Sequence, residues 1–143
     1  EMLLYTKDRD SIHLSEIKRK EYTLVLRYST QCCSTCVEDI LRKMRKFEEQ
    51  YPDIDILLFT TYRVQIEKKD FQRICRFFPK VYNVFSLGIP LDEEVVPYLF
   101  VLDRGMRVID TFIPDKDLPK LTNRYFERIT TTLSRNKAYN YKY

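Results

Sequence analysis

The stretch "LVLRYSTQCCSTCVEDILRKMRKF" (24–47) constrains this chain more than any other. Its opening, within "YTLVLRYS" (22–29), is mostly apolar, β-branched and aromatic, and reads as a buried strand. From Cys33 the period changes. Val37, Ile40, Leu41, Met44 and Phe47 recur at helical spacing, with Lys, Arg and Glu between them, until Pro52 ends the segment. A strand that hands over at once to an amphipathic helix belongs to an alternating α/β fold. Cys32, Cys33 and Cys36, three of the four cysteines, stand at the hand-over.

The rest of the chain continues the alternation. "DIDILLFTTY" (53–62) reads as a second strand, and "EKKDFQRICRFFPK" (67–80) as a helix with Phe71, Ile74, Cys75 and Phe78 on one face. "VVPYLFVLDRGMRVIDTFI" (95–113) reads as two strands joined at Asp103, Arg104 and Gly105, with the glycine available for positive φ. "DLPKLTNRYFERITTTL" (117–133) is a terminal amphipathic helix, with Pro119 near its first turn. The start of the chain reads as a small hairpin and turn. The expectation is a mixed central sheet flanked by helices on both faces. One domain spans 1–143, with an N-terminal extension over 1–21 and a flexible tail over 134–143.

Composition excludes several functions. Two glycines leave no phosphate-cradling loop of the GxxxxGK[ST] type. The net charge of +4 resides mostly in the tail, with Arg135, Lys137 and Lys142, so no basic face calls for nucleic acid. No apolar run approaches the roughly 18–20 residues that span a bilayer, so a membrane role would need an anchor outside this chain. Glu1 is not an initiator Met, and the chain reads as a trimmed or mature form.

Chemistry concentrates on the cysteines. Residues i and i+3 of a helix have Cβ atoms about 5–6 Å apart, and a small adjustment reaches the roughly 3.5–4.5 Å of a disulfide. Cys33 also stands beside free N–H groups and the positive end of a helix dipole. Such placement lowers a thiol pKa from about 8.5 into the ~3.5–7.5 range. Cys33 is then the attacking thiolate and Cys36 the resolving thiol of a redox dithiol. Cys32 has three readings: a pair with Cys36, a resolving role, or packing. Cys75 lies on an apolar stripe and reads as a buried inert thiol. Metal binding is expected to be absent. Cys32, Cys33 and Cys36 are at most three ligands, and the single histidine, His13, lies upstream.

Pro97 heads a strand, a position that suits its missing donor. The CCSTC segment and "VVPYLFVLDRGMRVID", in this order of elements, resemble the thioredoxin superfamily. With "DSIHLSEIKRKEYTLVLRYS" upstream, the pattern is similar to exported or membrane-anchored bacterial thiol-disulfide oxidoreductases. The resemblance implies a cis-proline at Pro97 and a backbone at Val96 that pairs with a substrate strand. It implies an extracytoplasmic, periplasmic setting, membrane- or lipid-anchored, with no cofactor. Its partners would be a disulfide-bearing protein or small molecule and a thiol reductant. The departures are specific. Cys32 replaces the usual Trp, Ser34-Thr35 replaces Gly-Pro, and Arg27 stands where thioredoxin has a buried Asp. A guanidinium is no general base at neutral pH; Arg27 either holds a nearby thiolate or reaches solvent. Thr30 and Cys33 fit the TxxC of peroxiredoxins, but Leu26 occupies the place of their proline. The alternatives are thus a non-catalytic binding or scaffold module with a static cysteine pair, and a thiol peroxidase.

Overall fold

The structure, a computed structural model, describes residues 3–6, 10–63 and 67–140, the side chains of 134–140 excepted. Its strands are β1 (Leu3–Tyr5), β2 (Ser11–His13), β3 (Thr23–Arg27), β4 (Asp55–Thr60), β5 (Val81–Asn83), β6 (Tyr98–Leu102) and β7 (Val108–Phe112). Its helices are α1 (Ser34–Gln50), α2 (Lys68–Phe77) and α3 (Pro119–Asn140). One sheet holds the strands in the order β2-β1-β5-β4-β3-β6-β7. β3, β4 and β5 run parallel, β6 runs antiparallel to β3, and β7 antiparallel to β6. The N-terminal hairpin β1–β2 closes the opposite edge by pairing with β5. β5 is an addition to the expected pattern, since its three residues are too short to show a period.

β3 is buried along its whole length, and strand alternation divides its side chains between two clusters. Leu24, Leu26 and Tyr28 pack with Val37, Ile40, Met44 and Phe47 of α1, Phe71 and Ile74 of α2, and Tyr125 and Ile129 of α3. Parallel crossovers β3–α1–β4 and β4–α2–β5 step the same way along the sheet. With one handedness they put both helices on one face. On the other face Val25, Leu57, Phe59, Tyr98 and Phe100 meet Leu4, Ile17 and Val84. The cover there is lighter: the 3-10 turns Leu14–Glu16 and Pro90–Glu94 and the segment before the second of them.

That second face holds Arg27, only 4% exposed. Its Nε pairs with Asp92 Oδ1 at 3.1 Å, and its two terminal nitrogens donate to the carbonyls of Val84 and Phe85, each at 3.2 Å. Asp92 also accepts from the Tyr98 hydroxyl and the Leu87 N–H. Both expectations for Arg27 are therefore corrected. It reaches no solvent, and its donors are taken by Asp92 and two carbonyls rather than a thiolate. Alternation turns it away from the face on which α1 packs.

Two further expectations change. The left-handed residue of the β6–β7 turn is Met106, at φ 64, and not Gly105. The Met106 N–H closes the turn on Asp103 O at 3.1 Å, while the Asp103 carboxylate accepts from Arg107 N at 2.8 Å. The turn is therefore set by Asp103 and needs no glycine freedom. At the chain's end, α3 runs to Asn140, past the point where the apolar period fades; 141–143 lie outside the described residues.

Burial by itself would push the Asp92 carboxyl up, but Tyr98, Leu87 and Arg27 outweigh it and hold its pKa below the ordinary value. A depressed carboxylate stabilises the fold above its unfolded pKa of about 3.9, and that contribution is lost as pH falls through the lower folded value. Asp92→Ala also strands a buried guanidinium. We expect it to cost about 3–5 kcal/mol in urea unfolding at neutral pH, and Arg27→Met with Asp92→Leu to cost clearly less. Equal losses in the two proteins would show that the cost of Asp92→Ala does not come from stranding Arg27.

Candidate functional site

Cys33 is the N-cap of α1, with φ −53° and ψ 119°. This cap normally falls to Ser, Thr, Asp or Asn, whose oxygen accepts a free helix N–H. Here sulfur does so: the Cys36 N–H donates to Cys33 Sγ at 3.4 Å. The Cys33 carbonyl meanwhile takes the first helical bond, from Val37 N at 3.0 Å. Cys33 is exposed, Cys36 half-buried, and all four cysteines are free thiols.

Thr35 Oγ1 lies 3.2 Å from Cys33 Sγ. The same oxygen accepts from Lys116 Nζ at 2.9 Å. Lys116 belongs to the connection between β7 and α3. β7 is antiparallel to β6 and β6 to β3, so β7 runs with β3 and ends at the same end of the sheet. Its exit loop therefore meets the cysteine loop.

These contacts separate the two thiols. Hydrogen bonding from the Cys36 side chain, then from the Thr35 hydroxyl and the Cys36 N–H, brings the Cys33 pKa down to about 7, with the charge of Lys116 helping. Cys36 moves up, first because it gives its proton toward Cys33, then through desolvation and the negative charge on Cys33; Asp117 adds to this and Lys116 opposes it. The exposed sulfur is the better anion, and its neighbour one turn on keeps its proton.

The remaining candidates divide. Cys32 is buried under the loop, and its Sγ accepts from Ser29 N at 3.4 Å and sits 3.6 Å from Ser29 Oγ. It packs with Leu24, Tyr28 and Val37, so of its three readings packing fits its surroundings. Thr30 is exposed on the turn before Cys33, and Leu26 is fully buried in β3. Cys75 is half-buried against the main core. His13 ends β2, the outermost strand, with β1, β5 and β4 between it and β3. The hairpin thus does not fold over the cysteines. Among the described residues no three His, Cys, Asp or Glu side chains group as metal ligands, and no helix is long and apolar enough to cross a membrane.

Pro97 and Val96 arrive by register. Tyr98 pairs with Arg27, so the residues before Tyr98 continue beside Tyr28 and Ser29, the path into the cysteine loop. The expected cis-proline is corrected: the described residues contain no cis peptide bond, so Val96–Pro97 is trans. The chain turns into β6 one residue earlier, where Val95 adopts φ 54° and ψ 42° after the 3-10 turn. A β-branched residue in that region is strained by about 1–3 kcal/mol.

Sequence reasoning missed Lys116 and Asp117, and it named Thr35 only as part of the intervening pair. The parallel run of β7 and β3 was the available signal, because it places "IPDKDLPK" and "CCSTC" at one end of the sheet.

No protein-family model and no curated protein matches the chain. Solved structures do. A candidate thiol-disulfide oxidoreductase from Bacteroides vulgatus superposes with a TM-score of 0.60 at 15% identity, covering 91% of this chain and 87% of its own. A thiol peroxidase from Chromobacterium violaceum gives 0.61 at 12%, covering 94% and 83%. The exposed lipoprotein thioredoxin of Streptococcus pneumoniae gives 0.52 at 16%, covering 87% and 97%. The chain has a thioredoxin-like fold. At these identities the likeness concerns the fold, and the chemistry rests on the side chains above.

A thiolate reacts with iodoacetamide and a thiol does not. Alkylation of Cys33 is therefore expected to rise with pH about a midpoint near 7, with Cys36 titrating above it. Mass mapping of the modified peptide against pH checks this. A Cys33 midpoint at or above the ordinary value of about 8.5 would contradict the assigned contacts.

Proposed function

We propose that the chain is a thiol-disulfide oxidoreductase acting on disulfides of proteins or small molecules. The observation that carries this reading is Cys33 itself: an exposed N-cap thiol with a lowered pKa of about 7, and a second thiol one turn along. The Cys33 thiolate attacks one sulfur of the substrate disulfide, forming a mixed disulfide and expelling the other sulfur as thiolate. Cys36 then loses its proton and attacks Cys33 Sγ. The Cys33–Cys36 bond forms, the second substrate thiol leaves, and two electrons have passed to the substrate. A thiol reductant returns the pair to the dithiol, and the exchange itself calls for no metal or cofactor. The resting direction of flow follows from the reduction potential.

The main chain at Val96, held beside the loop by the β3–β6 register, is the proposed rail for an extended substrate, with Pro97 at its end. Arg27 is locked to Asp92, so the Cys36 proton leaves by water or a surface acid. Cys32 supports the loop from below and takes no part in exchange. The fold likeness to an exposed lipoprotein supports an extracytoplasmic setting, where a dithiol of this kind would meet oxidised proteins. The whole of 1–143 acts as one unit.

Trapping tests the reading. Cys36→Ser should accumulate a mixed disulfide through Cys33 with reduced-and-denatured-then-oxidised insulin or with glutathione disulfide. Cys33→Ser should form none, and the wild-type dithiol should reduce insulin. If Cys36→Ser traps nothing from either disulfide, the exchange reading fails and the static scaffold remains. Consumption of hydrogen peroxide that depends on Cys33, without disulfide exchange, would instead favour the peroxidase.

A further inference from the structure

We propose that Lys116 is a positioning residue for the attacking sulfur: by donating to Thr35 Oγ1 it aims the single hydroxyl proton of Thr35 at Cys33 Sγ. The inference rests on the reading of Cys33 as the attacking thiolate and concerns what sets its charge.

The direction of the two bonds follows from their chemistry. An ammonium has three donors and no acceptor, so the 2.9 Å contact runs from Lys116 Nζ to Thr35 Oγ1. That oxygen keeps one proton and one further lone pair. A thiolate has no proton to give, so the 3.2 Å contact to Cys33 must then run from the Thr35 hydroxyl to Sγ. Charge at each end of a short chain of bonds polarises the hydroxyl between them and strengthens both contacts. A protonated Cys33 gains less from the same arrangement. The chain of bonds therefore favours the anion.

Local structure explains why Thr35 can do this. It is the second residue of α1, and helix side chains lean back toward the N-terminus. Its branched Cβ restricts χ1, so the hydroxyl is held beside the cap. Lys116 comes from the other side, on the β7 exit loop. The charged and titratable groups facing this point are Cys36 on α1 and Lys116 and Asp117 on that loop. Asp115 turns its carboxylate to the Asp117 N–H at 2.9 Å. Lys116 supplies the cation among them that contacts the Thr35 oxygen. Neutralising Lys116 should therefore weaken the thiolate at a distance of two hydrogen bonds.

The test is the pH profile of thiolate absorbance and of Cys33 alkylation in the full chain, for Thr35→Val, Lys116→Met and the double variant. Thr35→Val should lower the thiolate fraction at pH 6 about tenfold, the equivalent of about one unit in midpoint. Lys116→Met should shift the profile the same way by less, and add little once Thr35 is Val. Thr35→Ser and Lys116→Arg should restore most of the wild-type profile. An unmoved midpoint in Thr35→Val overturns the proposal. So does a Lys116→Met shift of the same size with and without the Thr35 hydroxyl, since Lys116 would then act as a field charge alone. Both side chains are exposed, and circular dichroism reports whether each variant stays folded. The measurement needs no disulfide substrate, so its failure is separate from a failure of the exchange reading.

Discussion

The site depends on one contact, the bond from the free Cys36 N–H at the start of α1 to the sulfur of Cys33. It makes a cysteine serve as a helix cap, a post usually held by oxygen. The cap requires the helix to begin where it does, and β3 delivers the chain to that point through the short loop 28–33. β3 lies inside the sheet, gripped by parallel β4 and antiparallel β6 and buried on both faces. The position of an exposed sulfur is thus inherited from a strand buried along its whole length. A site built on the end of such a strand is held more precisely than one carried by a free loop.

The two faces of the sheet divide the labour. One face is an apolar layer under three helices and carries the cysteine loop through α1. The other has lighter cover, fastened by Arg27, Asp92 and Tyr98. This polar clasp lies beneath the 84–94 segment, which leads through strained Val95 to Val96 and Pro97. Arg27 is thereby tied through architecture to the segment that carries Val96 and Pro97. A carboxylate in its place would be buried with no cation beside it, so the arginine and Asp92 make sense only as a pair.

The long elements were legible because their periods are long. The apolar stripe of α1, the solid apolar runs of β3 and β4 and the β6–β7 hairpin all fall within the segments read from sequence. The cysteine pair was legible because strand, motif and helix are contiguous. β5 was not, being three residues long. The partners of Arg27 were not, since Asp92 is far away in sequence and nothing in its neighbourhood marks a buried carboxylate. Lys116 and Thr35 meet only once the sheet order is known. The trans bond before Pro97 and the left-handed Met106 show the same limit in reverse. A proline and a glycine looked decisive, while the left-handed residues are Val95, two positions before the proline, and Met106, next to the glycine.

The account claims that Cys33 and Cys36 are one redox pair and that Cys32 is a packing residue. Equilibrating the protein in glutathione buffers of stepped potential, then quenching and mapping each cysteine by mass, measures this most directly. The account predicts a single two-electron transition in which Cys33 and Cys36 are lost as thiols together, while Cys32 and Cys75 stay reduced throughout. A transition that pairs Cys32 with Cys36, or the absence of any intramolecular bond between Cys33 and Cys36 across the series, would contradict it.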